Sequence, residues 1–73
     1  MNIYDWMNKA TKAEREVVAA EARTSVGYLW QLSGSHRTPS KKLAERLEEA
    51  TRKHTPDRVI DKVSARFGAD TAA

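Results

Sequence analysis

Ser25-Val26-Gly27, followed four residues later by Gln31, is the stretch of this chain whose residue types and spacing suit a definable chemistry. That chemistry is contact with the edges of base pairs. A serine hydroxyl can bond a base edge or a phosphate. A valine can pack on a thymine methyl, and a glutamine can make a bidentate pair with adenine. Gly27 lowers helix stability, and the benefit is a low surface that permits close approach. The leading turn of a helix entering a major groove needs such a surface. Trp30, on the same outward face, is expected against the sugar-phosphate wall or beside Arg37.

Charge points the same way. The net charge is only +3, but Arg23, Arg37, Lys41 and Lys42 lie between Glu21 and Glu45, and no acid does. A basic central segment between mixed-charge flanks suggests a surface that faces a polyanion. The bland alternative is a solvated face with a chance imbalance, so the motif must decide.

Other chemistries find little support. There is no Cys, so neither a disulfide nor a thiolate zinc site is expected. His36 and His54 have no cluster of partners with ligand spacing, and no metal or cofactor is expected. Ser, His and Asp occur without a glycine-rich elbow or a pocket-sized domain around them, so no catalytic residue is assigned. The longest aliphatic run, Val17-Val18-Ala19-Ala20, is far below a membrane span, and no signal-peptide pattern opens the chain. A soluble, cytoplasmic protein without a small-molecule ligand is expected.

The elements that must position these residues are short helices. A chain of 73 residues is one domain at most. Period-two alternation and hairpin turns are missing, whereas helix punctuation recurs. Ile3, Trp6, Met7 and Ala10 form a stripe on a first helix near 3–10, capped by Asn2. Thr11 and Glu14 make a capping box for a second, from about Lys12 to Ala22. Thr24 is the expected cap of a third, near Ser25 to Ser33, with Gly34 as its stop. Ser40 caps a fourth, near Lys41 to Arg52, with Leu43, Leu47 and Ala50 inward. Thr55-Pro56 reads as a cap and first residue of a fifth. That helix runs to about Phe67, with Val59, Ile60, Val63 and Phe67 on one face and Gly68 as its end. The domain is expected over 1–68, with 69–73 a frayed tail. The fold class is all-α, a compact five-helix domain.

The second and third helices are joined by Arg23-Thr24 alone, which forces a tight angled pair. Ala19 is small enough for close approach. Leu29 and Leu32, three apart, anchor the third helix inward. This leaves Ser25, Val26, Gly27, Trp30 and Gln31 outward.

The stretch "EVVAAEARTSVGYLWQLSGSHRTPSKKLAERLEEAT" resembles the helix-turn-helix of the lambdoid phage Cro and repressor family, most nearly its YdaS-like branch. There Thr-Ser opens the recognition helix, and a Gly or similar loop then leads to Arg-x-Pro-Ser and to Leu-Ala-x-x-Leu-Glu or its Ile counterpart. The resemblance covers about half the chain and implies a lambda-repressor-like fold. It also implies operator binding on double-stranded DNA, usually as a homodimer on a palindrome, and repression in a bacterial cytoplasm or nucleoid. By position, Ser25, Val26, Gly27 and Gln31 become base readers. Ser35, His36, Arg37, Ser40 and Lys41 become phosphate contacts around the start of the fourth helix. Arg15 matches a position that often touches the backbone. Two departures stand out. Arg23 occupies a turn position where the family usually has Gly at positive φ, and is expected to reach a phosphate in compensation. Thr24 replaces a frequent aliphatic residue.

Three further expectations follow. The apolar stripe Val59, Ile60, Val63 and Phe67 either covers the core of its own subunit or forms a dimer interface that operates in solution or only on DNA. A DNA-binding antitoxin would share the chemistry. A helical protein-interaction module would instead use Tyr28 and Trp30 as a docking surface.

Overall fold

The computed structural model describes residues 1–34 and 38–67, the last by its backbone alone, and these form five helices with no strand among them. The first, α1 (Ile3–Lys9), opens on Asn2, whose Oδ1 accepts the Asp5 N–H at 2.7 Å. Its buried face is Ile3, Trp6 and Met7, continued by Ala10. The second, α2 (Lys12–Glu21), starts on the expected capping box. Thr11 Oγ1 accepts the Glu14 N–H at 3.1 Å, and the Thr11 N–H donates to Glu14 Oε1 at 2.9 Å. Val18, Ala19 and Ala22 are its buried residues.

The third, α3 (Val26–Ser33), buries Leu29 and Leu32 as the anchoring pattern requires. Its cap is Ser25 rather than Thr24: Ser25 Oγ accepts the Tyr28 N–H at 3.1 Å. Thr24 instead belongs to the ending of α2, its N–H donating to the Ala19 carbonyl at 2.9 Å. The fourth, α4 (Lys41–His54), is capped by Ser40 as expected and buries Leu43, Ala44, Leu47, Ala50 and Thr51. The fifth, α5 (Lys62–Phe67), is short. In space α3 packs on α1 and α2, while α4 packs on α2 and carries α5. Trp6, Met7, Leu29, Leu47 and Ile60 are fully buried large residues of this one core. No helix among the described residues is long and apolar enough to cross a membrane.

The fifth helix corrects the sequence expectation. It begins at Lys62, not Pro56, and Thr55 ends α4 instead of starting α5. The physical reason is that the Thr55 side chain points inward. Its Oγ1 accepts the Trp6 indole N–H at 3.0 Å and lies 3.0 Å from the Thr51 carbonyl and 2.9 Å from that of Arg58. The Arg58 N–H closes a turn on the Thr55 carbonyl, and the Ile60 N–H donates to Thr51 Oγ1 at 2.9 Å. The Asp61 N–H reaches the Met1 carbonyl at 3.1 Å. These bonds engage polar groups that burial would otherwise leave unpaired, and they outweigh the Thr-Pro start signal. Val59, Ile60 and Val63 therefore do not share one helical face.

The link between α2 and α3 bears out another expectation. Arg23 is the one described non-glycine residue at positive φ, at 61°. Its N–H donates to the Ala20 carbonyl at 3.1 Å, and the Thr24 N–H to that of Ala19 at 2.9 Å. This is the Schellman ending, in which glycine ordinarily fills the left-handed position. A side chain there costs about 1–2 kcal/mol. Arg23→Gly should therefore raise the melting temperature by about 4–8 °C per kcal/mol relieved, measured by thermal denaturation.

An ion pair ties the start of α2 to the segment after α4. Arg58 grips Glu14 in bidentate fashion, Nη2 to Oε2 at 2.8 Å and Nη1 to Oε1 at 3.1 Å. The Arg58 hydrogen bonds, with those from Thr11, hold the Glu14 carboxyl down at about 2, below its ordinary 4.5. Because the folded value is depressed, the stabilisation is complete above about pH 4.5 and is lost as pH falls toward 2. Glu14→Gln should flatten the fall in melting temperature across that window while leaving its neutral-pH plateau shape unchanged.

Candidate nucleic-acid interface

Residues between Ser25 and Gln31 build the leading face of α3. Ser25 is exposed, and its hydroxyl oxygen is engaged as the helix cap while its proton remains available to donate. Val26 is half-buried and packs against the core, so it offers only part of its side chain outward. This narrows its expected role as a reader. Tyr28 is likewise half-buried against the core, which weakens its place on a docking surface.

Gly27 is exposed in the first turn. A Cβ placed on it would meet nothing nearer than Ser25 Oγ at 4.0 Å. Neither internal packing nor backbone conformation requires a glycine here. One turn further on, Gln31 is exposed, and its amide has no hydrogen-bond partner among the described residues. Gly27 and Gln31 lie four apart and so share one helical face.

Trp30 sits between them in sequence and is 42% exposed. Among the described residues the Arg15 guanidinium lies 5.3 Å from the ring centroid, and the expected neighbour Arg37 is outside them. That distance suits a cation–π contact. Arg15 Nη1 also donates to the carbonyls of Met7 at 2.9 Å and Ala10 at 2.8 Å, closing the end of α1. Arg15, expected at a backbone phosphate, also clamps α1, α2 and α3 together within the chain. Its long-range role has no signature in a linear pattern.

The basic flank is described in part. Ser40 caps α4, its Oγ accepting the Leu43 N–H at 3.1 Å, and Lys41 is exposed in a first turn that contains no acid. Arg23 is exposed at the strained turn. Ser35, His36 and Arg37 lie outside the described residues. Of the expected interface residues, Ile60 is fully buried in its own chain, Val59 is half-buried and Val63 is 56% exposed. The Phe67 side chain lies outside the described residues. Ile60 therefore belongs to the intrachain core, because its N–H and side chain are both drawn inward at Thr51.

Sequence reasoning missed Arg46. Its Nε–H donates to the Ala22 carbonyl at 3.0 Å, so a residue of α4 holds the turn that sets α3. Its position beside the Leu43, Leu47 and Ala50 stripe places it on a flank of the buried face, which was the available signal. Among the described residues no three or more metal-ligating side chains gather. His54 Nε2 instead meets Glu21 at 3.2 Å.

No family model, curated protein or solved structure matches the chain.

Proposed function

We propose that this chain is a sequence-specific regulator that binds double-stranded DNA with a lambda-repressor-like helix-turn-helix. In this reading α3 enters the major groove, and Ser25, Gly27 and Gln31, with the outward part of Val26, meet base edges. Lys41, Ser40 and Arg23 take backbone phosphates and set the register. The loop residues Ser35, His36 and Arg37 complete that flank. Two copies bind a palindromic operator, with Val63 at the contact between them, and occupation of a promoter represses transcription.

The observation that carries this reading is Gly27. A glycine that lowers helix stability, faces solvent and is not needed by the fold has its reason outside the chain. The exposed Gln31 amide on the same face and the acid-free segment around it supply the matching chemistry.

A protein-docking role for this face has one specific observation in its favour, the exposed Trp30. Salt separates the two. Each phosphate contact contributes about −0.9 to the slope of log affinity against log salt, whereas an apolar interface gives a slope near zero. Fluorescence anisotropy titrations of a labelled duplex test this directly. Lys41→Ala should weaken binding on all sequences and flatten the slope by about one. Gln31→Ala should leave the slope unchanged and cost about 1–3 kcal/mol on the preferred site alone. A flat salt profile for the parent protein would refute the DNA reading.

A further inference from the structure

The cleft behind the α2–α3 turn is a second candidate site. It has a volume of about 490 Å³ and is lined by Glu21, Arg23, Arg46, Glu49, Ala50 and Lys53. That volume falls within the range of small-ligand sites. Most of its polar groups are already committed. Glu21 is held by Lys53 Nζ at 3.5 Å and His54 Nε2 at 3.2 Å. The last carbonyls of α2 are occupied as well: Ala19 by the Thr24 N–H, Ala20 by the Arg23 N–H and Ala22 by Arg46 Nε.

What remains uncommitted is Arg23 and Arg46 on one side and the Glu49 carboxylate on the other. Arg46 is anchored through Nε, and neither of its Nη groups has a partner among the described residues. The Arg23 guanidinium has none there either, although its backbone holds the left-handed conformation that glycine adopts without strain. The fold would be better served by glycine at this position, so the arginine side chain has a use that the fold does not supply. Two guanidinium groups on one cleft, one already oriented by a carbonyl, suit the planar, multi-point recognition of phosphate oxygens.

We propose that this cleft holds a phosphate group between Arg23 and Arg46. Arg23 is shared with the phosphate contacts proposed above, so the backbone-phosphate form of the site rests on that reading. Arg46 is absent from those contacts, and the free-ester form does not depend on α3 reading bases. The phosphate belongs either to a free phosphate monoester or to the backbone of bound DNA. Glu49, exposed at the wall of the cleft, opposes the anion and limits its affinity.

Amide chemical-shift mapping of the full chain tests the site with three probes: glucose 6-phosphate, unphosphorylated glucose and a short duplex. Shifts at Glu21–Thr24 and Arg46–Lys53 with glucose 6-phosphate but not glucose identify a free ester as a ligand. The same shifts with the duplex alone assign the site to backbone phosphate. In either case Arg23→Gly should lower affinity at the cleft by about tenfold or more while raising the melting temperature. Glu49→Gln should tighten binding there. No shift in the cleft with either phosphate probe overturns the proposal, as does an Arg23→Gly variant that binds as tightly as the parent. Duplex-induced shifts confined to α3, with none from glucose 6-phosphate, would sink the cleft and leave the reading of bases by α3 standing. Shifts from glucose 6-phosphate with no duplex binding anywhere would do the reverse.

Discussion

Gly27→Leu is expected to leave the fold at least as stable as the parent while abolishing selective binding to duplex DNA. The position lies in the first turn of α3, is exposed, and has open space where a side chain would go. Leucine is a better helix former than glycine, by roughly 0.5–1 kcal/mol in a helix interior and less in a first turn. Nothing among the described residues resists the change. In a groove the same side chain would hold the helix away from the base edges and remove the contacts of Ser25 and Gln31 together. Each such contact is worth about 1–3 kcal/mol, so the loss should exceed about a hundredfold in affinity for the preferred site. Thermal melting and anisotropy titration on the same sample read both effects. A variant with lower stability and unchanged DNA binding would assign Gly27 to the fold after all.

Thr55→Asp is expected to unfold most of the population at room temperature. Were Thr55 a helix N-cap, as Thr-Pro suggests, aspartate would be as good or better. The structure reverses that outcome. Thr55 is 1% exposed, and its hydroxyl presents its one proton toward the carbonyls of Thr51 and Arg58 while accepting the Trp6 indole N–H. An ionised carboxylate has no proton to give and would face two carbonyl oxygens without water. The cost of an uncompensated buried charge is about 3–5 kcal/mol, which equals or exceeds what a core in so small a domain supplies, at most about 3–5 kcal/mol. Thr55→Val, which keeps the shape and loses the bonds, should cost about 1–3 kcal/mol by leaving the buried indole N–H unpaired. Urea denaturation of the two variants orders them. A stable Thr55→Asp protein would mean that this junction is a helix start.

The contrast between these two positions shows what a linear reading can reach. The first four helices were legible because their determinants are local: the Thr11/Glu14 capping box, the Ser40 cap, and apolar stripes at helical spacing. The left-handed turn at Arg23 was anticipated from the resemblance and is found at φ 61°. The fifth helix was misread because its start is decided by partners far along the chain. Trp6 reaches Thr55 across 49 residues, and Met1 receives the Asp61 N–H. No local pattern encodes such pairings.

The same division runs through the candidate site. Exposure of Ser25, Gly27 and Gln31 followed from placing Leu29 and Leu32 inward, and all three are exposed. The partners of Arg15 and Arg46 within the chain were not legible, although the place of Arg46 on a flank of the buried face was. A cation on a helix has the same sequence signature whether it faces water, a neighbouring ring or another helix's last carbonyl.

Selection of bound sequences from a pool of random duplexes tests the central claim most directly, that α3 reads base pairs. If α3 does so, the parent protein enriches a two-fold-related sequence with half-sites about one helical turn apart, and Gly27→Leu enriches none. Equal recovery of all sequences by both proteins would contradict it.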